Sequence, residues 1–194
     1  MTGLRDAKKA ALRQKLYSAA LARFRTDGYE ASSVADICKD VGVAKGTFFN
    51  HFPSKADVLA EWYDAAMQTS EAASLAQNAS VTETLIARAV SAVSIARTEP
   101  DLWLAKHVYA PVVRSIQTRE AAADDRIRAL ALASLMEARE RDEVRADVAL
   151  EDVAELYVAC VTGTIREWLN TGQRSDLDET LTRRISALMA MIHS

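Results

Sequence analysis

The sequence has 194 residues, enough for one medium domain or for a small domain joined to a larger one, and its net charge is −3. Hydrophobic residues make up 49% of it, while six Gly and three Pro are too few for a collagen-like or disordered chain. The two cysteines lie far apart, which argues against a disulfide framework, and the apolar runs are too short to span a bilayer. The sequence also shows no signal-peptide pattern, and together these features predict a cytoplasmic protein.

Charge is distributed unevenly along the chain. Residues 1–55 contain ten Lys/Arg and five Asp/Glu, a balance of +5, whereas the remainder contains fourteen and twenty-two, a balance of −8. A basic N-terminal part predicts contact with a polyanion. Chance clustering of charges on solvated faces is the alternative explanation.

The first predicted helix is amphipathic, because apolar residues recur every four positions: Leu12, Leu16, Ala20 and Phe24. Gly28 is suited to the left-handed conformation that ends a helix. Ser33 then begins a capping-box pattern that predicts a short second helix, and Gly42 suits the tight turn that follows it. The third predicted helix covers 44 to about 51, and Pro53 ends it.

These three helices, two of them short and separated by a glycine turn, predict a helix-turn-helix unit in residues 1–53. Cys38 is small at the position where the two short helices would cross closely, and Phe48 falls on the side that must be buried. The same pattern is typical of helices that only pack together, and on spacing alone this alternative stays open.

The remainder, residues 54–194, predicts only helices, so the predicted fold class is all-α. Capping patterns open helices at Ser54 and at Ser80, the latter running to about Thr98, and Pro100 suits the first turn of the next helix. Further segments are predicted in this order: a helix that Pro111 ends near Tyr109, a loop or helix junction in the charged stretch 114–125, and helices at about 125–141, 150–170 and 176–193.

The last two predicted helices are apolar on more sides than one buried stripe requires. In the first of them, one face contains Val153, Tyr157, Cys160, Thr164 and Trp168, and another contains Val158, Val161, Ile165 and Leu169. A helix that is apolar nearly all round needs neighbours on both sides, which predicts a homodimer through the last two helices. Burial of both faces within one chain is the alternative.

From about Lys8 to Leu59 the chain resembles the TetR-type bacterial transcriptional regulators, and the matching stretch is AALARFRTDGYEASSVADICKDVGVAKGTFFNHFPSKADVL. Matching positions are Ala19-Ala20, Phe24, Gly28-Tyr29, Ser32-Ser33, Ile37, Gly42-Val43, Lys45-Gly46-Thr47, Phe48-Phe49, His51-Phe52 and Lys55. Beyond Leu59 the resemblance lies only in the number and lengths of the helices. Three positions depart from the family pattern: Cys38 stands where Ala is usual, Ala44 where Ser is frequent, and Phe49 where Tyr is usual.

The resemblance implies a three-helix helix-turn-helix DNA-binding domain at 1–53, a larger helical ligand-binding and dimerisation domain at 54–194, and a palindromic operator in double-stranded DNA as the partner. The predicted DNA contacts are Ser33, Lys45, Gly46, Thr47, Phe49, Asn50, His51 and Lys55. Lys45 is suited to guanine or to a phosphate, Asn50 to adenine, and Gly46 to a close approach of the backbone. Phe49 lacks the hydroxyl with which the family's Tyr reaches a phosphate, but it suits a sugar or a thymine methyl.

The resemblance also implies a repressor that a small molecule releases from its operator. The predicted ligand contacts are Trp62, Met67, Trp103, His107, Tyr109, Tyr157 and Cys160. Such a lining favours a largely apolar ligand, and plain core packing is the alternative for each residue. Two other functions stay open: a DNA-binding dimer that senses no small molecule and acts through a protein partner or as an architectural protein, and an activator.

No catalytic class has its sequence pattern in this chain. The three histidines are scattered, and the sequence contains no HExxH, CxxC, phosphate-binding loop or nucleophile elbow. We therefore expect no enzymatic activity, no metal and no cofactor.

Overall fold

The computed structural model describes residues 2–71 and 79–193, and within these residues the chain forms ten α-helices and no β-strand. One isolated antiparallel bridge joins Val144 to His193. The helices are α1 (Thr2–Thr26), α2 (Val34–Val41), α3 (Lys45–Phe49), α4 (Lys55–Glu71), α5 (Val81–Ala92), α6 (Ser94–Thr98), α7 (Pro100–Tyr109), α8 (Arg114–Glu140), α9 (Leu150–Asn170) and α10 (Leu177–Ala190). The predicted all-α fold class is confirmed. None of the described helices is long and apolar enough to cross a membrane.

The chain divides into two compact units. The first unit consists of Met1–Ala65 and Glu99–Arg119, and the second of Ala66–Thr98 and Glu120–Ser194, each to the extent that its residues are described. The first unit therefore contains α1, α2, α3, the first part of α4, all of α7 and the start of α8. In this unit α7 joins the three predicted DNA-binding helices, although α4, α5 and α6 separate it from them in sequence.

Local backbone signals place α2 and α3 close to their predicted positions. Ser33 caps α2, since its side chain accepts the Asp36 N–H at 3.1 Å. Gly42 ends α2 in the left-handed conformation, with a φ of 76°. The third helix is shorter than predicted, because it spans only Lys45–Phe49, and Ala44 before it provides no side-chain cap.

The core of the first unit is built on the apolar stripe of α1. Three of its four predicted residues are buried, and Leu12 is half-buried. Against this stripe lie the buried side chains of α2, α3 and the turn after α3: Ile37, Cys38, Phe48 and Phe52. The rings of Phe48 and Phe52 are 5.6 Å apart. Burial of a Phe side chain stabilises by about 1.5–3 kcal/mol, so these two rings anchor a helix that is too short to be stable alone.

The prediction of a loop or helix junction at 114–125 is wrong, because α8 runs through this stretch without a break. Arg, Gln, Glu and Ala have high helix propensity and fill seven of the twelve positions of the stretch, so its charge does not interrupt the helix. One side of the helix is also buried, at Ile116 and Ala123. Within the first unit, Arg119 donates to the Asp64 carboxylate of α4 at 2.6 Å.

The prediction of a single helix from Ser80 to about Thr98 is also wrong, since two helices, α5 and α6, occupy this range. Its start is as predicted, with a capping box formed between Ser80 and Glu83. At Val93 the backbone leaves the helical conformation, with φ of −96° and ψ of 0°, and α6 follows. Val93 is buried there, and its β-branched side chain gives the helix little propensity to continue.

The two apolar faces of α9 that predicted a homodimer are buried within the chain, with Cys160 alone half-buried among their nine residues. Neither face therefore needs a partner subunit to cover it. The large apolar side chains that the last two helices leave exposed are Leu156, 56% exposed, and Met191, 70% exposed, directly after α10.

We expect Gly42→Ala to lower the free energy of unfolding by about 1–2 kcal/mol, because a Cβ strains the left-handed backbone that ends α2. Urea denaturation followed by circular dichroism measures this change. The matched control is Gly46→Ala in α3, where φ is not positive and an added Cβ meets no atom within 4 Å. Equal destabilisation by both substitutions would contradict the explanation.

Candidate nucleic-acid interface

The short helix α3 has one buried side and one exposed side. Phe48 is buried on the first, whereas Lys45, Gly46, Phe49 and Asn50 are exposed on the other, which we call the α3 face. Phe49 is 52% exposed, and its ring meets the Phe48 ring edge to face at 5.6 Å. The α3 face thus brings together a cation, a position without a side chain, an aromatic ring and an amide.

Two further predicted contacts, Thr47 and His51, flank this face and are half-buried. The Nδ1 atom of His51 is buried and has no hydrogen-bond partner among the described residues. Only Nε2 is therefore on the side of the ring that an incoming phosphate could reach. Ser33 is exposed at the start of α2, and its hydroxyl donates to the Asp36 carboxylate at 2.5 Å while accepting the Asp36 N–H.

Lys55 has an internal role that the sequence analysis did not predict. Its Nζ donates to the backbone carbonyls of Tyr29 at 2.5 Å and Ser32 at 3.0 Å, and lies 4.1 Å from the centre of the Tyr29 ring. Burial lowers the pKa of this ammonium group. Two of its three N–H groups thus hold the turn between α1 and α2 against α4. One N–H is left for the predicted phosphate contact.

The basic residues of the first 55 positions fall into two groups. Three arginines are taken up by ion pairs inside the first unit: Arg13 with Glu61, Arg23 with Asp40 and Arg25 with Glu99. Six exposed cations form no ion pair with any described residue: Arg5, Lys8, Lys9, Lys15, Lys39 and Lys45. The second group, together with the remaining N–H of Lys55, can attract a polyanion, and the first three members of the group lie on the exposed N-terminal turns of α1.

Arg13 connects three segments of the first unit. Both of its terminal nitrogens donate to the Glu61 carboxylate of α4, one of them at 2.6 Å, and its guanidinium carbon lies 4.3 Å from the centre of the Phe52 ring. This bidentate pair raises the pKa of Arg13. The position of Phe52, and with it the end of α3, is fixed from α1 and α4.

The two ends of α7 are tied to the other helices of the first unit. At its start, the Glu99 carboxylate accepts from Arg25 of α1 at 2.6 and 3.0 Å and from the Trp62 indole N–H of α4 at 3.3 Å. At its end, the Tyr109 hydroxyl donates to Glu30 at 2.7 Å. We call these five residues the α7 clamp. Sequence reasoning missed Glu99, Arg25 and Glu30, because nothing in the sequence pairs residues so far apart.

The seven predicted ligand contacts are divided between the two units. In the first unit, the buried rings of Trp62 and Trp103 meet edge to face at 6.2 Å, while His107 and Tyr109 are half-buried. In the second unit, Met67 and Tyr157 are buried and Cys160 is half-buried. The Tyr157 hydroxyl donates to the Leu85 carbonyl at 2.8 Å, and burial raises the pKa of this phenol. Tyr109 and Tyr157 therefore already have hydrogen-bond partners within their own units.

The second unit contains a groove of about 620 Å³ that the sequence analysis did not anticipate. Its lining residues come from the start of α5, the end of α8 and the turn after α8: Ala79, Ser80, Val81, Glu83, Thr84, Arg88, Ser134, Glu137, Arg141 and Glu143. We call it the α5–α8 groove. None of the seven predicted ligand contacts lines it, and within residues 2–71 and 79–193 no group of three His, Cys, Asp or Glu side chains is placed to hold a metal ion.

Residues 16–62 match the family described as "Bacterial regulatory proteins, tetR family". Thermus thermophilus FadR, described as a TetR family transcriptional repressor in complex with lauroyl-CoA, has a similar structure with 24% identity over 91% of this chain and 93% of that chain (TM-score 0.70). A TetR transcriptional regulator from Chloroflexus aurantiacus is 20% identical over 96% and 98% of the two chains (TM-score 0.70). The regulator FadR from Bacillus subtilis, in complex with stearoyl-CoA, is 18% identical over 93% and 99% (TM-score 0.68).

At these identities the solved structures establish a common fold. No curated protein matches the chain in sequence. The matched segment, residues 16–62, begins within α1, contains α2 and α3 and ends in α4, so it includes the whole α3 face.

We expect Gly46→Ala to weaken DNA binding while leaving the fold at least as stable, because a methyl group would stand between the backbone of α3 and the DNA. Within the chain this position is open, and Ala favours a helix over Gly by about 1 kcal/mol. Fluorescence anisotropy with labelled operator DNA measures affinity, and thermal unfolding monitors stability. Undiminished affinity in a folded variant would remove Gly46 from the interface.

The ion pair between Glu99 and Arg25 in the α7 clamp predicts that part of the stability of the fold is lost in acid. The Arg25 guanidinium holds the pKa of Glu99 below its ordinary value of 4.5, so the pair stabilises the fold fully above that value and is lost as pH falls through the lowered pKa. We expect Glu99→Gln to flatten the fall of stability in this acid range. Denaturant unfolding at stepwise lower pH measures it, with Glu140→Gln as the control, since Glu140 is exposed and forms no ion pair with the described residues. Identical acid profiles for wild type and Glu99→Gln would contradict the assignment.

Proposed function

We propose that this chain, whose residues 16–62 match the tetR family of bacterial regulatory proteins, is a DNA-binding transcriptional repressor which a small, largely apolar ligand releases from a palindromic operator. The observation that supports this proposal most directly is the α3 face. Four exposed residues with base-reading or backbone-approaching chemistry lie on one side of a helix whose other side is anchored by Phe48.

In this proposal Lys45 and Asn50 read bases in the major groove. Lys45 is exposed at the first position of α3 and forms no ion pair with the described residues, so its ammonium group is available to guanine or to a phosphate. Asn50 is exposed directly after α3 and presents an amide that can pair with the N6 and N7 atoms of adenine. Gly46 between them permits close approach of the backbone.

Phe49 contributes apolar contact rather than a hydrogen bond. A ring that is 52% exposed on a helix surface is unfavourable in water, and DNA offers it sugar carbons and thymine methyl groups. The exposed ring also packs edge to face against the buried Phe48 ring, at 5.6 Å between ring centres. We therefore assign to Phe49 a preference for thymine next to the bases read by Lys45 and Asn50.

The remaining predicted contacts would bind phosphates. Ser33 would contribute the backbone N–H groups at the N-terminus of α2, since its hydroxyl hydrogen is donated to Asp36, while Thr47 would supply a hydroxyl and His51 its Nε2 atom. Lys55 contributes one N–H at most, because its other two hold the turn between α1 and α2. The free cations on the first turns of α1 add sequence-independent attraction.

We propose further that residues 1–53 act as the DNA-binding domain and residues 54–194 as the ligand-binding and dimerisation domain of a homodimer. TetR-family regulators bind DNA as dimers. The two DNA-binding domains of the dimer would then contact half-sites about one DNA turn apart, roughly 34–36 Å. The exposed apolar side chains of Leu156 on α9 and Met191 directly after α10 support an interface at these helices.

The ligand class rests on the aromatic character of the predicted contacts and on two similar proteins. The Thermus and Bacillus regulators hold lauroyl-CoA and stearoyl-CoA, molecules with long apolar chains. A ligand of this kind would displace α7 or α4, and the α7 clamp would pass that displacement to α1 and to the turn that positions α2. The mechanism requires only that the ligand bind more tightly to the conformation in which the distance between the two DNA-binding domains does not match the spacing of the operator half-sites.

Binding-site selection from random DNA at controlled salt tests the proposed function. We expect the wild type to recover a palindrome, and Lys45→Ala and Asn50→Ala each to relax the preference at particular bases, with a loss of about 1–3 kcal/mol per contact. Lys15→Ala is the matched control, since Lys15 is an exposed cation of α1 outside the α3 face and forms no ion pair with the described residues. Salt-sensitive binding without any recovered sequence, or unchanged base preference in both variants, would overturn it.

A further inference from the structure

We propose that the α5–α8 groove is a second ligand site, which binds a small zwitterion bearing one carboxylate and one ammonium group. The groove lies wholly within the second unit, and its volume of about 620 Å³ suits a small molecule. It is lined mainly by charged and hydroxyl side chains. Such a lining differs in chemistry from the buried aromatic residues of the proposed apolar ligand site.

Arg88 is the residue on which this inference depends. Its Nε atom is buried and lacks a hydrogen-bond partner, and the guanidinium forms no ion pair with any described residue. A buried donor without an acceptor is unfavourable by roughly 1–3 kcal/mol, and more when the group is charged. The planar guanidinium is matched in geometry to a carboxylate, which can accept two parallel N–H bonds from it. Arg88 lines the groove and is half-buried, so a ligand carboxylate there would pair with the accessible part of its guanidinium group.

Most other charges of the groove already have structural partners. The Glu83 carboxylate accepts from the backbone N–H and the hydroxyl of Ser80, both at 2.8 Å. The Glu143 carboxylate accepts from the Val81 N–H at 2.8 Å and from Arg141 at 2.6 Å. Among the charged residues of the lining, Arg88 and Glu137 are left without an ion pair or hydrogen bond to the described residues.

The balance of charge in the groove favours a zwitterion over a simple anion. Three carboxylates and two guanidinium groups line it, so a ligand that is only an anion would meet an excess of negative charge. Glu137 is exposed and able to accept from an ammonium group. Ser134 is 7% exposed, and because its hydroxyl hydrogen is donated to the Leu130 carbonyl at 3.0 Å, its oxygen is left to accept a second ligand N–H.

Ligand binding in the α5–α8 groove is independent of the proposed function. None of the seven predicted apolar-ligand contacts belongs to it, and binding in the groove does not require that the protein recognise an operator. A failure of the DNA-binding proposal would therefore leave it unaffected.

Calorimetric titration of the full chain with matched probes tests the proposal. The probes are γ-aminobutyrate and ε-aminocaproate as zwitterions of two lengths, caproate as the anion alone and hexylammonium as the cation alone. We expect at least one zwitterion to bind, and both single-charge probes to bind about tenfold more weakly or worse, because each lacks one charge-assisted hydrogen bond. In parallel, the Arg88 Nε–H signal in a nitrogen-15 spectrum should shift with the zwitterion.

Variants assign the binding to the groove. Arg88→Gln and Glu137→Gln should each weaken zwitterion binding by about tenfold, whereas Arg174→Gln, at an exposed position outside the groove, should not change it. Circular dichroism confirms that each variant is folded. Three results would each overturn the proposal: caproate binding as tightly as the zwitterions, no binding by both zwitterions, or undiminished zwitterion binding by folded Arg88→Gln.

Discussion

The burial of Phe48 is the contact on which the candidate interface depends. Five residues make too few backbone hydrogen bonds to hold α3 in place, so its orientation comes from tertiary packing. The Phe48 ring directs Lys45, Phe49 and Asn50 outward by fixing which side of the helix faces the core. Loss of such a ring would destabilise the fold by about 3–5 kcal/mol and would release the whole α3 face together.

The anchoring of Phe48 is extended by a chain of contacts through the first unit. Phe48 packs on Phe52, Arg13 lies over Phe52, and Glu61 of α4 holds Arg13. On the opposite side, Lys55 of α4 holds the turn that leads to Ser33. The start of α4 is therefore connected to α3 and to the cap of α2, and a shift of α4 would move both the α3 face and the N-terminus of α2.

Charge in this protein has two separate uses. The arginines of the N-terminal segment mostly form bidentate pairs within the first unit, and the lysines are mostly free in solvent. This division follows from chemistry, because the planar guanidinium is suited to bidentate carboxylate pairing and the hydrated ammonium group is suited to long-range attraction. Arg88 in the α5–α8 groove differs from the three paired arginines of α1, because it forms no ion pair with the described residues although its Nε atom is buried.

By itself the sequence determined the helical elements and the buried side of the helix-turn-helix unit, since these depend on signals a few residues apart: the Ser33 cap, the left-handed Gly42 and the spacing of Leu16, Ala20 and Phe24. Prediction failed at 114–125, where charged residues of high helix propensity do not interrupt α8, and at Val93, where the backbone leaves the helical conformation. Only the tertiary structure decided the partner of each charge. The α7 clamp, the internal role of Lys55, the burial of both α9 faces and the α5–α8 groove join residues far apart in the chain, and no local pattern records which distant side chains will meet.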